Sequence, residues 1–171
     1  SSTCAIYGDP ERLPLTEDLP KRPVSTYGRT KLMTEQMLED ISRAHGLNFA
    51  ALRYFNAAGA DPEGETGEEH DPETHLIPNA LKAAVGLGGA MKLFGTDYPT
   101  VDGTCVRDFV HVTDLAEAHI LAADKVAAGN TNLQLNLGSG NACTVLEVLK
   151  AVERATGRPV PVTMAPRRAG D

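Results

Sequence analysis

Residues 25–55 read STYGRTKLMTEQMLEDISRAHGLNFAALRYF, and this stretch decides the fold, because a helical period gives way within a few residues to a short apolar run. Ser25 or Thr26 is placed to cap a helix, Met33, Met37, Ile41 and Ala44 recur at helical spacing, and Gly46 is placed to end it. Phe49-Ala50-Ala51-Leu52 follows, with aromatics after it, and residues 48–55 read as a buried strand. A helix that hands over to a buried strand is half of a parallel α/β unit.

The same alternation extends outward. Residues 1–8 read as the end of a strand followed by a loop, and Pro10, Pro14, Pro20 and Pro23 exclude regular structure from 9 to 24. Residues 56–74 are rich in Gly, Pro, Asp and Glu and form a long loop. A helix is expected from 75 to 87, short strands at 91–94 and 109–112, and a helix capped by Asp114 that carries Leu115, Ala118, Leu121 and Ala122. Residues 133–137 alternate as a strand and Gly138-Ser139-Gly140 turns it. Thr144 and Glu147 form a capping box for a helix ending near Gly157, and 160–163 close as a strand. Strands alternating with helices define an α/β fold with a mainly parallel sheet, and the chain shows no internal repeat.

Composition narrows the function classes. Sixteen Lys and Arg against twenty-three Asp and Glu give a net charge of −7, which argues against nucleic acid or an anionic membrane as partner. Cys4, Cys105 and Cys143 are odd in number and widely spaced, so no disulfide framework or structural zinc site is expected, and a reducing cytoplasm fits best. No apolar run approaches the roughly 20 residues of a transmembrane helix.

Tyr27 and Lys31 carry the sharpest chemical signal. Four residues apart near a helix start, they share a face, and a cation beside a phenol favours the phenolate that a proton-abstracting tyrosine needs. By itself the pair is equally compatible with a solvated helix face. Ser1-Ser2-Thr3 adds a hydroxyl cluster at the end of a strand, one loop before that helix.

With that context, the order Ser-Ser-Thr-Cys-Ala-Ile-Tyr-Gly at 1–8, Tyr-Gly-Arg-Thr-Lys at 27–31 and Arg-Tyr-Phe-Asn at 53–56 resembles the extended short-chain dehydrogenases that act on nucleotide sugars. The segments THLIP at 74–78, FGTDYPT at 94–100, DGTCVRDFVHV at 102–112 and APRRAGD at 165–171 narrow the resemblance to the UDP-glucose (UDP-galactose) 4-epimerases. It runs the whole length of the chain and covers about the latter half of that family. It implies the C-terminal part of an NAD-binding, Rossmann-type doubly wound sheet at 1–56 and most of a smaller α/β substrate domain at 57–171, with about 102–128 returning to the first.

Carried over by position, the resemblance assigns Thr3 the hydroxyl that bonds the sugar O4, Tyr27 the base, and Lys31 the nicotinamide ribose and the support of the phenolate. Thr3, Tyr27, Lys31 and Phe55 would face the cofactor NAD. Asn56, His75, Leu76, Lys92, Phe94, Arg107, Arg168 and Asp171 would face the UDP-sugar, with Arg107 and Arg168 on the diphosphate, Lys92 and Phe94 near uracil, and Asp171 near the ribose. The implied reaction oxidises C4 to a transient 4-keto sugar and reduces it on the other face, and the implied full-length protein is a homodimer. Phe109 stands where the family often has Tyr, and Ala142 where it often has Gly.

Other readings remain open: a sibling acting on UDP-xylose/arabinose, UDP-N-acetylhexosamine or UDP-glucuronate, or a non-catalytic sugar-nucleotide-binding fragment. A dTDP-sugar dehydratase needs an acid-base pair after Thr3, where Cys4-Ala5 offers none. No glycine-rich dinucleotide loop is present, so the chain is expected to be a piece truncated at both ends and inactive alone. His70-Asp71 with His75 fits no zinc spacing and reads as solvated loop, with no metal expected. Cys105 reads as a buried small hydrophobe.

Overall fold

A computed structural model of the chain describes residues 1–129 and 131–168. In chain order the elements are β1 (Ser2–Thr3), a 3-10 turn (Cys4–Ile6), α1 (Thr26–His45), β2 (Ala50–Tyr54), β3 (Asn56–Ala58), α2 (Leu76–Ala84), β4 (Met91–Phe94), β5 (Val106–His111), α3 (Val112–Ala127), β6 (Leu133–Leu137), β7 (Ala142–Thr144), α4 (Val145–Thr156) and β8 (Val162–Ala165). The fold is α/β. It divides into two compact units, one of Ser1–Gly59 with Val110–Ser139, the other of Ala60–Phe109 with Gly140–Asp171, of which 140–168 are described.

In the first unit the strands run β1-β2-β6, all parallel, with Ser2 opposite Arg53, Thr3 opposite Tyr54, and Tyr54 opposite Leu137. Local chemistry sets the ends of α1. The Ser25 side chain accepts the Gly28 N–H at 3.0 Å, and Gly46 closes the helix at φ 70, donating its N–H to the Ser42 carbonyl at 2.8 Å. A small core of Ile6, Tyr7 and Leu19 forms under the loop after β1, with Cys4, Leu15 and Leu32 against it.

The face of α1 that turns inward is not the apolar stripe. Met33, Met37 and Ile41 are 60, 61 and 41% exposed, while the buried positions are Gly28 and Glu35. These two lie seven residues apart, two turns along one side. That side is turned to the sheet because Glu35 is the counter-ion of Arg53, which is 0% exposed on β2.

In the second unit β4 pairs with β8 in parallel, Met91 opposite Val162 through Phe94 opposite Ala165, and β5 pairs with β7 antiparallel. Helices α2 and α4 bury Ala80, Ala83, Ala84, Leu149, Val152 and Val160 in one cluster. The Thr144–Glu147 capping box starts α4, and Gly157, at φ 66, ends it.

Several boundaries differ from those expected. Helix α2 stops at Ala84 rather than 87. Strand β5 begins at Val106, and α3 begins at Val112, capped by His111, whose ring accepts the Thr113 N–H, with Asp114 in the first turn. The last strand is shifted to 162–165, and β3 and β7 are short strands inside segments read as loop. Their three residues each are too few to show a period of two, and β-pairing alone defines them. Cys105 is buried, as read from the sequence. Among the described residues, no helix is long and apolar enough to cross a membrane.

Candidate functional site

Tyr27 stands by the turn that follows Thr3 at the C-terminal end of β1, and Lys31, one turn further along α1, reaches Ser1 just before that strand. Thr3 is buried, and its hydroxyl accepts the Ala5 N–H at 3.2 Å, capping the 3-10 turn while its own O–H remains a donor. The first turn of α1 rests directly on this turn: a Cβ on Gly28 would lie 2.5 Å from the Ala5 carbonyl oxygen and 3.0 Å from Pro23 Cβ. Only glycine permits that approach, and through it Tyr27 stands beside the Thr3 turn. Gly28→Ala is therefore expected to cost about 1–3 kcal/mol, read as a lower urea midpoint at unchanged m-value.

Tyr27 is 55% exposed, and Lys31 Nζ lies 5.9 Å from its ring centroid. That ammonium is held by the Ser1 carbonyl at 3.1 Å and the Ser1 hydroxyl at 3.2 Å. Beside the pair, the Tyr54 hydroxyl is 2.5 Å from His119 Nε2, and His119 Nδ1 is 2.7 Å from the Leu115 carbonyl. A carbonyl only accepts, so Nδ1 carries the proton, and in the neutral ring Nε2 accepts from Tyr54. Burial, together with the neighbouring Tyr27, pushes the Tyr54 phenol above its ordinary value.

Behind β1 lies a polar network absent from the sequence reading. Arg53 donates to both Glu35 oxygens at 3.0 and 2.8 Å, to Gln134 at 2.7 Å and to the Tyr7 hydroxyl at 2.8 Å. Ser2 donates to Glu35 at 2.5 Å, and Tyr7 donates onward to Asn136 at 2.7 Å. Lys21 reaches both Glu35, at 3.3 Å, and Gln134, at 2.8 Å. Burial alone would raise the Glu35 carboxyl, but the bonds from Arg53 and Ser2 and the charges of Arg53 and Lys21 hold it below the usual range. Ser2 ties this network to β1, one residue before Thr3. The signal in the sequence is Arg53, a charge inside the otherwise uncharged run 49–54.

The remaining candidates are spread over both units. In the first, Phe55 donates its N–H to the Leu137 carbonyl at 3.3 Å, and Asn56 opens β3; both are half-buried. In the second, the Arg168 guanidinium stands 4.6 Å from the Phe94 ring centroid, so a cation and an aromatic face from two distant segments come together. Lys92 is exposed on β4, two residues before Phe94. Arg107, on β5, donates to the Val106 carbonyl at 3.0 Å and to Cys105 Sγ. His75 is the exposed N-cap of α2, and the side chain of Leu76 packs on the α2–α4 core. Asp171 lies outside the described residues. The loop before α2 is mostly exposed, as read, and it gathers Glu68, His70, Glu73 and His75, with one ligand-capable atom of each within 4.8 Å of the others.

The profile of the NAD dependent epimerase/dehydratase family matches residues 1–138. A protein of Rhizobium meliloti (strain 1021) named UDP-glucose 4-epimerase is 52% identical over all 171 residues, which span 52% of its length. One of the same name from Lacticaseibacillus casei is 50% identical over the same span, again 52% of its length. Among solved structures, a UDP-glucose 4-epimerase from Brucella ovis in complex with NAD superposes with a TM-score of 0.95 at 54% identity, over 99% of this chain and 52% of that one. The chain thus spans about half the length of the curated relatives it matches.

Proposed function

The chain belongs to the NAD dependent epimerase/dehydratase family, and from that premise we propose that it is part of a UDP-glucose 4-epimerase that interconverts UDP-galactose and UDP-glucose with NAD held throughout. The observation that carries the proposal is the exposed phenol of Tyr27 with the Lys31 ammonium 5.9 Å from its ring, set beside the Thr3 turn. An ammonium, a phenol and a buried hydroxyl set along a short parallel strand are a donor set that fits a nicotinamide ribose and a sugar alcohol together. The unit built on β1, β2 and β6 is assigned to the cofactor and the unit built on β4 and β8 to the sugar nucleotide.

Bound NAD⁺ would accept the C4 hydride and return it to the opposite face of the 4-keto sugar, so net oxidation is zero. Tyr27 takes the O4 proton in the first half and gives it back in the second. Thr3 donates its O–H to O4 and holds that oxygen against the phenol. Lys31 binds the ribose hydroxyls and keeps a positive charge beside Tyr27. Arg107 and Arg168 present guanidinium forks to the diphosphate, and Phe94 with Lys92 receives the uracil. In the first unit Phe55 and Asn56 are assigned to the nicotinamide and the sugar; in the second His75 is assigned to the sugar nucleotide, with Leu76, its side chain committed to the core, contributing through its backbone N–H at the start of α2.

The test is conversion of UDP-galactose to UDP-glucose, with NAD⁺ present, by this chain joined to the remaining portions of the Rhizobium meliloti relative. Turnover within about tenfold of the intact relative, roughly 1.4 kcal/mol in barrier, supports the reading. A folded hybrid that binds UDP and does not turn over this pair overturns it.

We also propose that the intact protein is a homodimer through α1. Met33, Met37 and Ile41 expose a continuous apolar stripe along it, and Ile120 and Leu121 on α3 are 63 and 59% exposed. Isolated exposed apolar side chains are ordinary, but a stripe along a helix marks an interface. Met37→Glu combined with Ile41→Glu is expected to shift the hybrid from dimer to monomer in sedimentation, and an unchanged profile rejects the interface.

A further inference from the structure

We propose that Glu68, His70, Glu73 and His75 form a binding site for a divalent transition metal of the zinc type. The four residues follow the pattern Glu-x-His-x-x-Glu-x-His on the loop that enters α2, and His75 is fixed as the N-cap of that helix. One ligand-capable atom from each lies within 4.8 Å of the others. His70 Nδ1 is 3.1 Å from Glu68 Oε1 and 3.8 Å from Glu73 Oε2, His75 Nδ1 is 3.0 Å from Glu73 Oε1, and the Glu68 carboxylate also contacts His75 Nδ1. A tetrahedral zinc site with bonds of about 2.0–2.2 Å sets its ligand atoms roughly 3.3–3.6 Å apart; the 3.0, 3.1 and 3.8 Å separations lie around that spacing, with Glu73 turning Oε1 to His75 and Oε2 to His70, and Glu68 would draw back from His75 to admit the ion. Two imidazoles with two carboxylates is a ligand set that zinc accepts.

A second feature points to a cation independently of the clustering. The Glu73 side chain is only 4% exposed. Its Oε1 accepts the Thr74 and His75 backbone N–H groups, both at 2.8 Å, which orients the carboxylate. Its Oε2 is buried, has no hydrogen-bond partner among the described residues, and faces His70 Nδ1. A buried carboxylate oxygen left without a partner is costly, and a cation at the centre of the four donors removes that cost. Both histidines present Nδ1 to the carboxylates, which places the ring protons on Nε2 when a metal is bound.

The site shares His75 with the epimerase reading, but its readout is metal binding and needs no turnover, so the two can fail separately. Co²⁺ titrated into the 171-residue chain is expected to bind at about one ion per chain, with the visible absorption of tetrahedral cobalt, and Zn²⁺ is expected to displace it. His70→Ala, at a side chain 54% exposed and so without consequence for folding, should weaken binding by at least about tenfold. Glu73→Gln should do the same, with far-UV circular dichroism confirming the fold. Replacing Cys4, Cys105 and Cys143 by serine should leave binding unchanged. Absence of Co²⁺ binding by the wild-type chain, or equal affinity in His70→Ala, overturns the proposal.

Discussion

Replacing Tyr27 by phenylalanine is expected to lower UDP-galactose turnover of the hybrid enzyme by roughly 10²–10⁴-fold, with UDP affinity unchanged. The ring, its packing and its place one turn before Lys31 all survive the change; only the phenol oxygen is lost, and with it the acceptor for the O4 proton. Because Tyr27 is 55% exposed, no buried partner is orphaned and the fold should not respond. Lys31 offers a contrast within the same face. Its ammonium is anchored on Ser1 as well as lying over Tyr27, so Lys31→Met should weaken NAD binding and turnover together rather than turnover alone. A Tyr27→Phe enzyme that keeps its wild-type kcat would remove Tyr27 from the acid-base role.

Arg53→Met is expected to destabilise the chain by about 3–5 kcal/mol, the largest stability effect of any single change considered. Arg53 is 0% exposed, and its partner Glu35 is 1% exposed. Removing the guanidinium leaves a carboxylate between Ser2 and Lys21 that can neither reach water nor be fully paired. Met keeps most of the volume, so the loss reads out as electrostatics and not as a cavity. Chemical denaturation at neutral pH measures it, and a change below about 1 kcal/mol, the range of an exposed pair, would falsify the claim that this ion pair holds α1 to the sheet.

The same network makes a pH prediction. The Glu35 carboxyl is depressed in the folded chain, so its stabilisation is fully present above the unfolded carboxylate value of about 4.3 and is lost as pH falls through the lower folded value. Stability of the wild-type chain should therefore fall between neutral pH and acid, and Glu35→Gln should be less stable at neutral pH with a shallower acid slope. A slope identical in the two proteins would assign the acid sensitivity to other carboxylates.

What could be read from the sequence was whatever is decided within a few residues. Ser25 and Gly46 bound α1, and Thr144, Glu147 and Gly157 bound α4, because capping and a left-handed closing residue act over one helical turn. Met91–Phe94 and Leu133–Leu137 were legible as strands for the same reason. The nucleotide-sugar family was legible because its signatures are contiguous, at 1–8, 27–31, 74–78 and 102–112. Tertiary structure alone decided which face of α1 turns inward. A period of 3.6 reports which residues share a face and not which face meets the sheet, and here an ion pair between Glu35 and Arg53, on different elements, overrode the Met33, Met37 and Ile41 stripe. It also decided that Gly28 must be glycine, since the carbonyl it clears belongs to Ala5, and that a buried oxygen of Glu73 faces His70 in a loop whose composition speaks only of solvent. Each of these depends on a contact between residues on different elements or across a folded loop, and no local propensity records such a contact.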